Sequence, residues 1–82
     1  MSECKFQISV PEGNGYSDPR AMTRVIDHFR EMELAAEFTS ENGIPVKEAD
    51  GTYTMVTTDD RAADVAPLVL SSHYGLVAYM IF

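Results

Sequence analysis

Residues 33–39 read ELAAEFT, and they decide the fold because they form either the end of a helix or a separate strand. Leu, Ala and Glu favour helix, so propensity alone would extend the preceding helix through this segment. The apolar positions have period two instead, which is typical of a strand whose buried face carries Leu34, Ala36 and Phe38. We therefore predict a switch from helix to strand near residues 33/34. The alternative is a helix that runs to about residue 41 and ends at Asn42-Gly43.

A strand and a helix are predicted on the N-terminal side of this segment. Residues 5–10, KFQISV, alternate between apolar and polar side chains, as a half-buried strand does. Asp18 can cap a helix whose first residue would be Pro19, a residue preset for that position. Apolar side chains then recur at three- and four-residue spacing, which gives the helix one buried stripe. The stripe consists of Met22, Val25, Ile26, Phe29 and Met32.

Two turns and two further strands are predicted on the C-terminal side. Asn42-Gly43 and Asp50-Gly51 are dipeptides that tolerate the positive φ angles of hairpin turns. Between them IPVKE (44–48) is predicted as a short strand, which Pro45 restricts to the edge of a sheet. TYTMVTT (52–58) has the β-branched and aromatic composition of a good strand.

A second helix and a last strand are predicted next. We expect Thr58 to be the N-cap, with Asp59 and Asp60 at the positive end of the helix dipole. Pro67 should kink this helix, because proline removes a backbone hydrogen bond and clashes with the preceding turn. Gly75 is expected to end the helix, and LVAYMIF (76–82) is the predicted last strand. The inner stripe of the helix is predicted to be Ala62, Val65, Ala66 and Val69.

The predicted order is strand, helix, strand, strand, helix, strand, within a single domain of residues 1–82. Two interlocking right-handed βαβ units give an α+β sandwich, in which a four-stranded antiparallel sheet carries both helices on one face. This is the ferredoxin-like βαββαβ arrangement. The first and third strands would be central, and the last would lie at an edge beside the first.

The predicted last strand is apolar on both faces, although a sheet of this kind has helices on only one. Val77, Tyr79 and Ile81 would face the open side, where an apolar patch usually marks an interaction site. No Lys, Pro or bulge signal protects the strand edge against pairing. We predict self-association through these three residues, as a homodimer; the alternative is that a loop or the N-terminal residues cover them. The positions facing the helices would be Leu76, Ala78, Met80 and Phe82.

The net charge of −7 is unevenly distributed along the chain. Residues 1–30 are balanced and residues 65–82 contain no Asp, Glu, Lys or Arg, so the whole excess lies in residues 31–64. Direct binding to nucleic acid is disfavoured, because it needs clustered Lys and Arg. The acidic excess either keeps the protein in solution or forms a face that meets a basic surface on a protein partner. The predicted partner-binding residues are Glu37, Glu41, Glu48, Asp50, Asp59 and Asp60.

No catalytic or metal-binding signature stands out. Asp27, His28 and Glu31 share one helix turn, but a transition-metal site needs three or four convergent ligands, so we predict no metal and no cofactor. Cys4 and His73 offer the alternative of a thiol enzyme, provided that the first and last strands bring them together.

We expect a small, acidic, non-enzymatic protein that inhibits or regulates a partner by occupying its basic, nucleic-acid-binding surface. Phage-encoded inhibitors of host defence, such as anti-CRISPR proteins, are comparable in size and charge, although no motif connects them with this chain. The start MSECKFQ has no apolar signal region, and no stretch approaches the roughly 20 apolar residues of a membrane span, so we expect a cytoplasmic protein. The alternative function is an ACT-like regulatory domain that binds a small metabolite at a dimer interface near residues 11–18, because ACT domains share the predicted strand order.

Overall fold

The fold is known from a computed structural model, which describes residues 3–81. The strands are β1 (Cys4–Ser9), β2 (Glu37–Phe38), β3 (Ser40–Glu41), β4 (Ile44–Pro45), β5 (Tyr53–Thr57) and β6 (Val77–Ile81). The helices are α1 (Pro19–Glu31) and α2 (Asp60–Tyr74), and a short 3-10 turn, Gly15–Ser17, precedes α1.

The switch from helix to strand lies where the apolar pattern predicts it. α1 ends at Glu31, and Glu33 takes a left-handed conformation with φ 58°. The N–H of Leu34 then donates to the carbonyl of Phe29 over 2.9 Å, which closes the helix in a Schellman-type turn. Leu34 and Phe38 are both buried, as a period-two segment requires. A strand therefore follows α1 as predicted, although only Glu37–Phe38 of the segment pairs in the sheet, and the alternative of a helix to residue 41 is wrong.

The main sheet is antiparallel and has the strand order β2-β5-β1-β6. β1 is central because Phe6 lies opposite Met55 of β5 on one side and opposite Met80 of β6 on the other. β2 and β6 form the two edges. The prediction of an α+β fold with a four-stranded antiparallel sheet and two helices is confirmed.

β3 and β4 form a separate two-stranded sheet, which the sequence analysis did not predict. Asn42 (φ 55°) and Gly43 (φ 79°) are both left-handed, as a type I′ hairpin turn requires. Pro45 lies opposite Ser40 and is buried, and its strand packs against α1. The predicted strand 44–48 is therefore limited to its first two residues and lies outside the main sheet, because the hairpin folds onto the helix instead.

Asp59, and not the predicted Thr58, is the N-cap of α2. The Asp59 carboxylate accepts hydrogen bonds from the N–H of Arg61 over 2.9 Å and from that of Ala62 over 3.4 Å. Asp59 is still extended (φ −90°, ψ 115°), so the helix begins one residue later than predicted. α2 continues through Pro67 to Tyr74, and the proline does not interrupt it. The chain leaves the helix at Gly75 with φ 67°, which confirms the predicted end.

One cluster of buried side chains joins the main sheet to both helices. β1 contributes Phe6 and Ile8, and β5 contributes Tyr53 and Met55, all four at most 1% exposed. The predicted helix stripes supply most of the remainder, although Ile26 and Val65 are only half-buried. Met32, predicted in the stripe of α1, is the C-cap of that helix and is exposed. The helix residues of the core are Met22, Val25, Phe29, Ala62, Ala66, Val69 and Leu70.

Candidate functional site

In the described part of the chain, no helix packs on the face of the main sheet that points away from the core, called here the outer face. Its residues are fixed by the strand register, because residues opposite each other point to the same side. Tyr79 lies opposite Gln7, which lies opposite Thr54, and Ile81 lies opposite Lys5. The outer face is therefore apolar along β6 and mainly polar along the two central strands, where Val56 of β5 is the apolar exception.

β6 presents the predicted apolar side chains on this face. Val77 is 41%, Tyr79 59% and Ile81 41% exposed. Ala78, between them, is half-buried against the core, which agrees with the predicted alternation. Met80 shares the inner register but is 43% exposed, because β6 is an edge strand. Phe82, predicted to face the helices, lies outside the described residues.

The turn between β4 and β5 adds two of the predicted acidic residues to the outer face. Gln7 Nε2 donates to Asp50 Oδ2 over 3.0 Å and to Thr52 Oγ1 over 3.1 Å, which holds the turn against β1. The hydroxyl and backbone N–H of Thr52 both donate to Asp50, which lowers the pKa of its carboxyl. Asp50 is therefore ionised at neutral pH. A shallow depression lies between this turn and β6, lined by Lys5, Gln7, Glu48, Ala49, Asp50, Thr52, Thr54 and Ile81.

The six predicted partner-binding acids are only partly brought together. Glu37 lies opposite Val56 and shares the outer face with the acids of the β4–β5 turn, and Glu41 is exposed in the hairpin. Asp59 and Asp60 stand instead at the start of α2, in the helix layer. The sequence had already placed Asp59 and Asp60 at the start of a helix, but it could not show that Glu37, Glu48 and Asp50 share one face of the sheet, because that depends on the strand register and on the β4–β5 turn.

Asp59 has a structural role that accounts for its charge. Burial opposes ionisation, but the N–H groups of Ala35, Arg61 and Ala62 donate to the carboxylate, and the Arg61 charge adds to their effect, so the pKa of Asp59 is lowered. The guanidinium of Arg61 also donates to the carbonyl of Met32 over 3.0 Å, which ties α2 to the end of α1. The Asp59 carboxylate is therefore already engaged in hydrogen bonds within the chain.

A cluster of aromatic and histidine side chains at the ends of the two helices was not predicted. The ring of His28 shares a hydrogen bond with the Tyr74 hydroxyl, and His73 and Tyr16 pack edge-on against these two rings at centroid distances of 5.1 Å. Burial first, and then Tyr16 and Glu31, raise the pKa of Tyr74, so this phenol is not activated as a base. No local pattern could have revealed the contact, because His28 and Tyr74 lie 46 residues apart.

The loop 11–18 directs its polar groups into the chain itself. Asn14 Oδ1 accepts from the N–H of Tyr16 over 2.8 Å, while Asn14 Nδ2 donates to the Tyr74 carbonyl over 2.8 Å. The Ser17 carbonyl accepts from Lys47 Nζ over 3.0 Å. These bonds join the loop to the end of α2 and to the segment after β4.

The fold does not bring Cys4 and His73 together. Cys4 lies opposite Thr57, at one end of β1, whereas Ser9 at the other end lies opposite Val77, close to the end of α2. The His73 ring packs against His28 instead. The thiol–imidazole pair considered from the sequence is therefore not formed.

Within residues 3–81 no three His, Cys, Asp or Glu side chains converge as a metal site requires. Over the same residues, none of the helices combines the length and the hydropathy needed to cross a membrane. Comparisons with protein-family models, with curated proteins and with solved structures gave no match.

Proposed function

We propose that this protein is a small non-enzymatic binding module, an inhibitor or regulator that occupies a basic, nucleic-acid-binding surface of a protein partner. The observation that carries the proposal is the composition of the outer face. Glu48 and Asp50 of the β4–β5 turn stand there beside the exposed apolar side chains of β6, across one shallow depression. An interface of this kind combines apolar burial with charges that select a basic partner.

We further propose that the fold is ferredoxin-like, with the β3–β4 hairpin as an addition to it. When the hairpin is set aside and the four strands of the main sheet are numbered along the chain, their order in the sheet is 2-3-1-4. Sheets of this kind leave one face free of helices, and many proteins use that face for binding. The outer face is the corresponding surface here.

Charge reversal on the outer face tests this function. The variant Glu37→Lys/Glu48→Lys changes two exposed acids of that face, and the matched control Glu12→Lys/Asp64→Lys changes two exposed acids elsewhere. Both pairs alter the net charge equally. Binding is measured by biolayer interferometry against purified CRISPR effector proteins and an unrelated basic nucleic-acid-binding protein, with and without competing nucleic acid.

We expect a partner in this panel to bind the native protein and to release it when nucleic acid or salt is added. Binding should be lost in the outer-face variant and retained in the control variant. Equal loss with both pairs would show that net charge alone matters. The absence of binding to every member, or binding that nucleic acid does not displace, would contradict the proposed function.

A further inference from the structure

Exposed apolar side chains are concentrated along the free edge of β6. Among residues 3–81, five of the seven large hydrophobic side chains that are exposed belong to this strand or to α2, which packs on it. Within residues 3–81 β6 hydrogen-bonds to β1 alone, so its second edge offers unpaired backbone groups. The five side chains are Leu68, Val77, Tyr79, Met80 and Ile81.

The apolar side chains at this edge lie on both faces of the sheet. Tyr74 contacts Tyr16 and His28, so its side of the helix faces α1. At 100° per residue Val65 lies on the opposite side of α2, and Leu68 lies 120° from Tyr74. Leu68 is 67% exposed and points mainly away from the sheet. On the inner side of the edge the exposed apolar side chain is Met80, at 43%, so β6 carries exposed apolar side chains on both faces of the sheet.

The charge distribution indicates which occupant fits this edge. A net charge of −7 on each copy opposes the association of two copies, so a self-interface must lie where the charge is absent. Residues 65–82 contain no Asp, Glu, Lys or Arg. Because this edge is uncharged, a basic partner bound there would contact no acidic residue. A second copy, by contrast, would meet no charge repulsion at the edge.

We propose that β6 pairs with β6 of a second copy of this chain, antiparallel across a two-fold axis, so that two main sheets become one sheet of eight strands. The axis passes midway between the two copies of Tyr79, the middle residue of the strand. Tyr79 then lies opposite Tyr79 of the second copy, and Val77 lies opposite Ile81. A register shifted by one residue would set outer-face side chains against inner-face ones, which the alternation of the strand forbids.

This dimer leaves the site of the proposed function open. A two-fold axis perpendicular to a continuous sheet keeps both outer faces on the same side. The two depressions that contain Glu48 and Asp50 then flank a central strip of six apolar side chains. The dimer would therefore present two acidic sites to one partner surface, which strengthens binding without any new contact.

Molar mass in solution gives the first test, by size exclusion with light scattering. We expect about twice the 9.1 kDa chain mass for the native protein. Tyr79→Lys should halve that mass, because it sets two like charges directly opposite each other in the pair. Circular dichroism checks that this variant, whose side chain is exposed, is still folded. A folded native monomer at all concentrations would overturn the proposal.

Disulfide trapping tests the register in a Cys4→Ser background, which removes the one cysteine of the chain. Tyr79→Cys places two thiols directly opposite each other, with Cα atoms roughly 4.5–5.5 Å apart, which lies within the Cα separation that a disulfide can bridge. Val77→Cys alone places its two thiols four residues apart along the pair, so it should remain uncrosslinked. Val77→Cys combined with Ile81→Cys should crosslink again.

Equal crosslinking of Tyr79→Cys and Val77→Cys would exclude this register, and a native dimer that Tyr79→Lys leaves intact would place the interface elsewhere. A heterologous strand bound at β6, with the chain otherwise monomeric, would also contradict the pairing. None of these outcomes decides the proposed function. That function is tested by partner binding of the variant Glu37→Lys/Glu48→Lys, which leaves β6 unchanged.

Discussion

Glu33 holds a backbone conformation that normally belongs to glycine. Its φ of 58° lets α1 stop and lets Leu34 re-enter the core as part of an extended segment. A residue with a Cβ is strained in the left-handed region by about 1–2 kcal/mol. The sequence gives no glycine at this position, which is why propensity alone would continue the helix.

We expect Glu33→Gly to raise the free energy of unfolding by about 1 kcal/mol, since relief of the strain exceeds the added freedom of glycine in the unfolded chain. Urea unfolding followed by circular dichroism measures the change. Glu33→Ala is the control, because it removes the charge and keeps the Cβ. A similar gain in both variants would mean that charge, and not backbone strain, is responsible.

Gly75→Ala should have the opposite effect. A Cβ at Gly75 would be strained at φ 67° and would lie 3.2 Å from Asn14 Nδ2, whose bond to the Tyr74 carbonyl holds the loop 11–18. We expect a loss of about 1–2 kcal/mol in the free energy of unfolding. Gly15→Ala is the matched control: its Cβ would meet nothing within 4 Å, and its φ is not positive. A comparable loss in Gly15→Ala would contradict this account.

Single residues also show what could be predicted from the sequence and what could not. The period-two burial of Leu34 and Phe38 and the exit of the chain at Gly75 follow from local patterns. The contact of His28 with Tyr74, by contrast, arises only when α1 and α2 pack together, so no window of the sequence contains it.

At the scale of elements, α2 depends on the residue that begins it. Thr58 and Asp59 are both good N-caps, so the sequence could not choose between them by residue type. Asp59 is the N-cap because its own N–H donates to the hydroxyl of Thr57. This bond keeps the chain extended through Asp59, so the helix begins one residue later. The hairpin β3–β4 illustrates the same limit: the turn at Asn42-Gly43 could be predicted, but its docking on α1 could not.

Capping by Asp59 should appear as a pH dependence of stability. The folded pKa of Asp59 is lowered below its ordinary value of 3.8, so the folded state binds protons less readily than the unfolded state. The resulting stabilisation is present above that ordinary value and is lost as the pH falls through the lowered folded pKa. We expect Asp59→Asn, which caps without titrating, to lose less stability between pH 7 and pH 3 than the native protein.

Urea unfolding at the two pH values measures the difference between native protein and variant. The control is Asp60→Asn, which removes a neighbouring carboxylate in the first turn but leaves the cap intact. If Asp60→Asn flattened the pH dependence as much as Asp59→Asn, the effect would belong to the helix dipole and not to the cap.

At the scale of the whole molecule, the chain contains thirteen acidic residues and six basic ones. Within residues 3–81 there is a single ion pair, between Asp27 and Arg30 at 3.9 Å. The excess charge therefore remains largely uncompensated. Composition predicted this excess, but the split of the acids between the outer face and the helix layer depended on the tertiary fold.

Screening should stabilise such a molecule. We expect the urea midpoint at neutral pH to rise when NaCl is increased from about 0.02 M to about 0.5 M, because salt shortens the range of repulsion between the acids. The Tyr79→Lys variant is used, so that association does not contribute. The rise should vanish near pH 4.5, the isoelectric point. A midpoint insensitive to salt at neutral pH would show that self-repulsion is negligible.

The central position of β1 has a consequence for biosynthesis. β1 leaves the ribosome before the other five strands, yet its partners β5 and β6 are the last two of them in chain order. At roughly 5–20 residues per second, Phe6 and Ile8 wait on the order of several seconds for the strands that cover them. The main sheet can therefore close only late in synthesis, and β1 is the strand that stays longest without its partners.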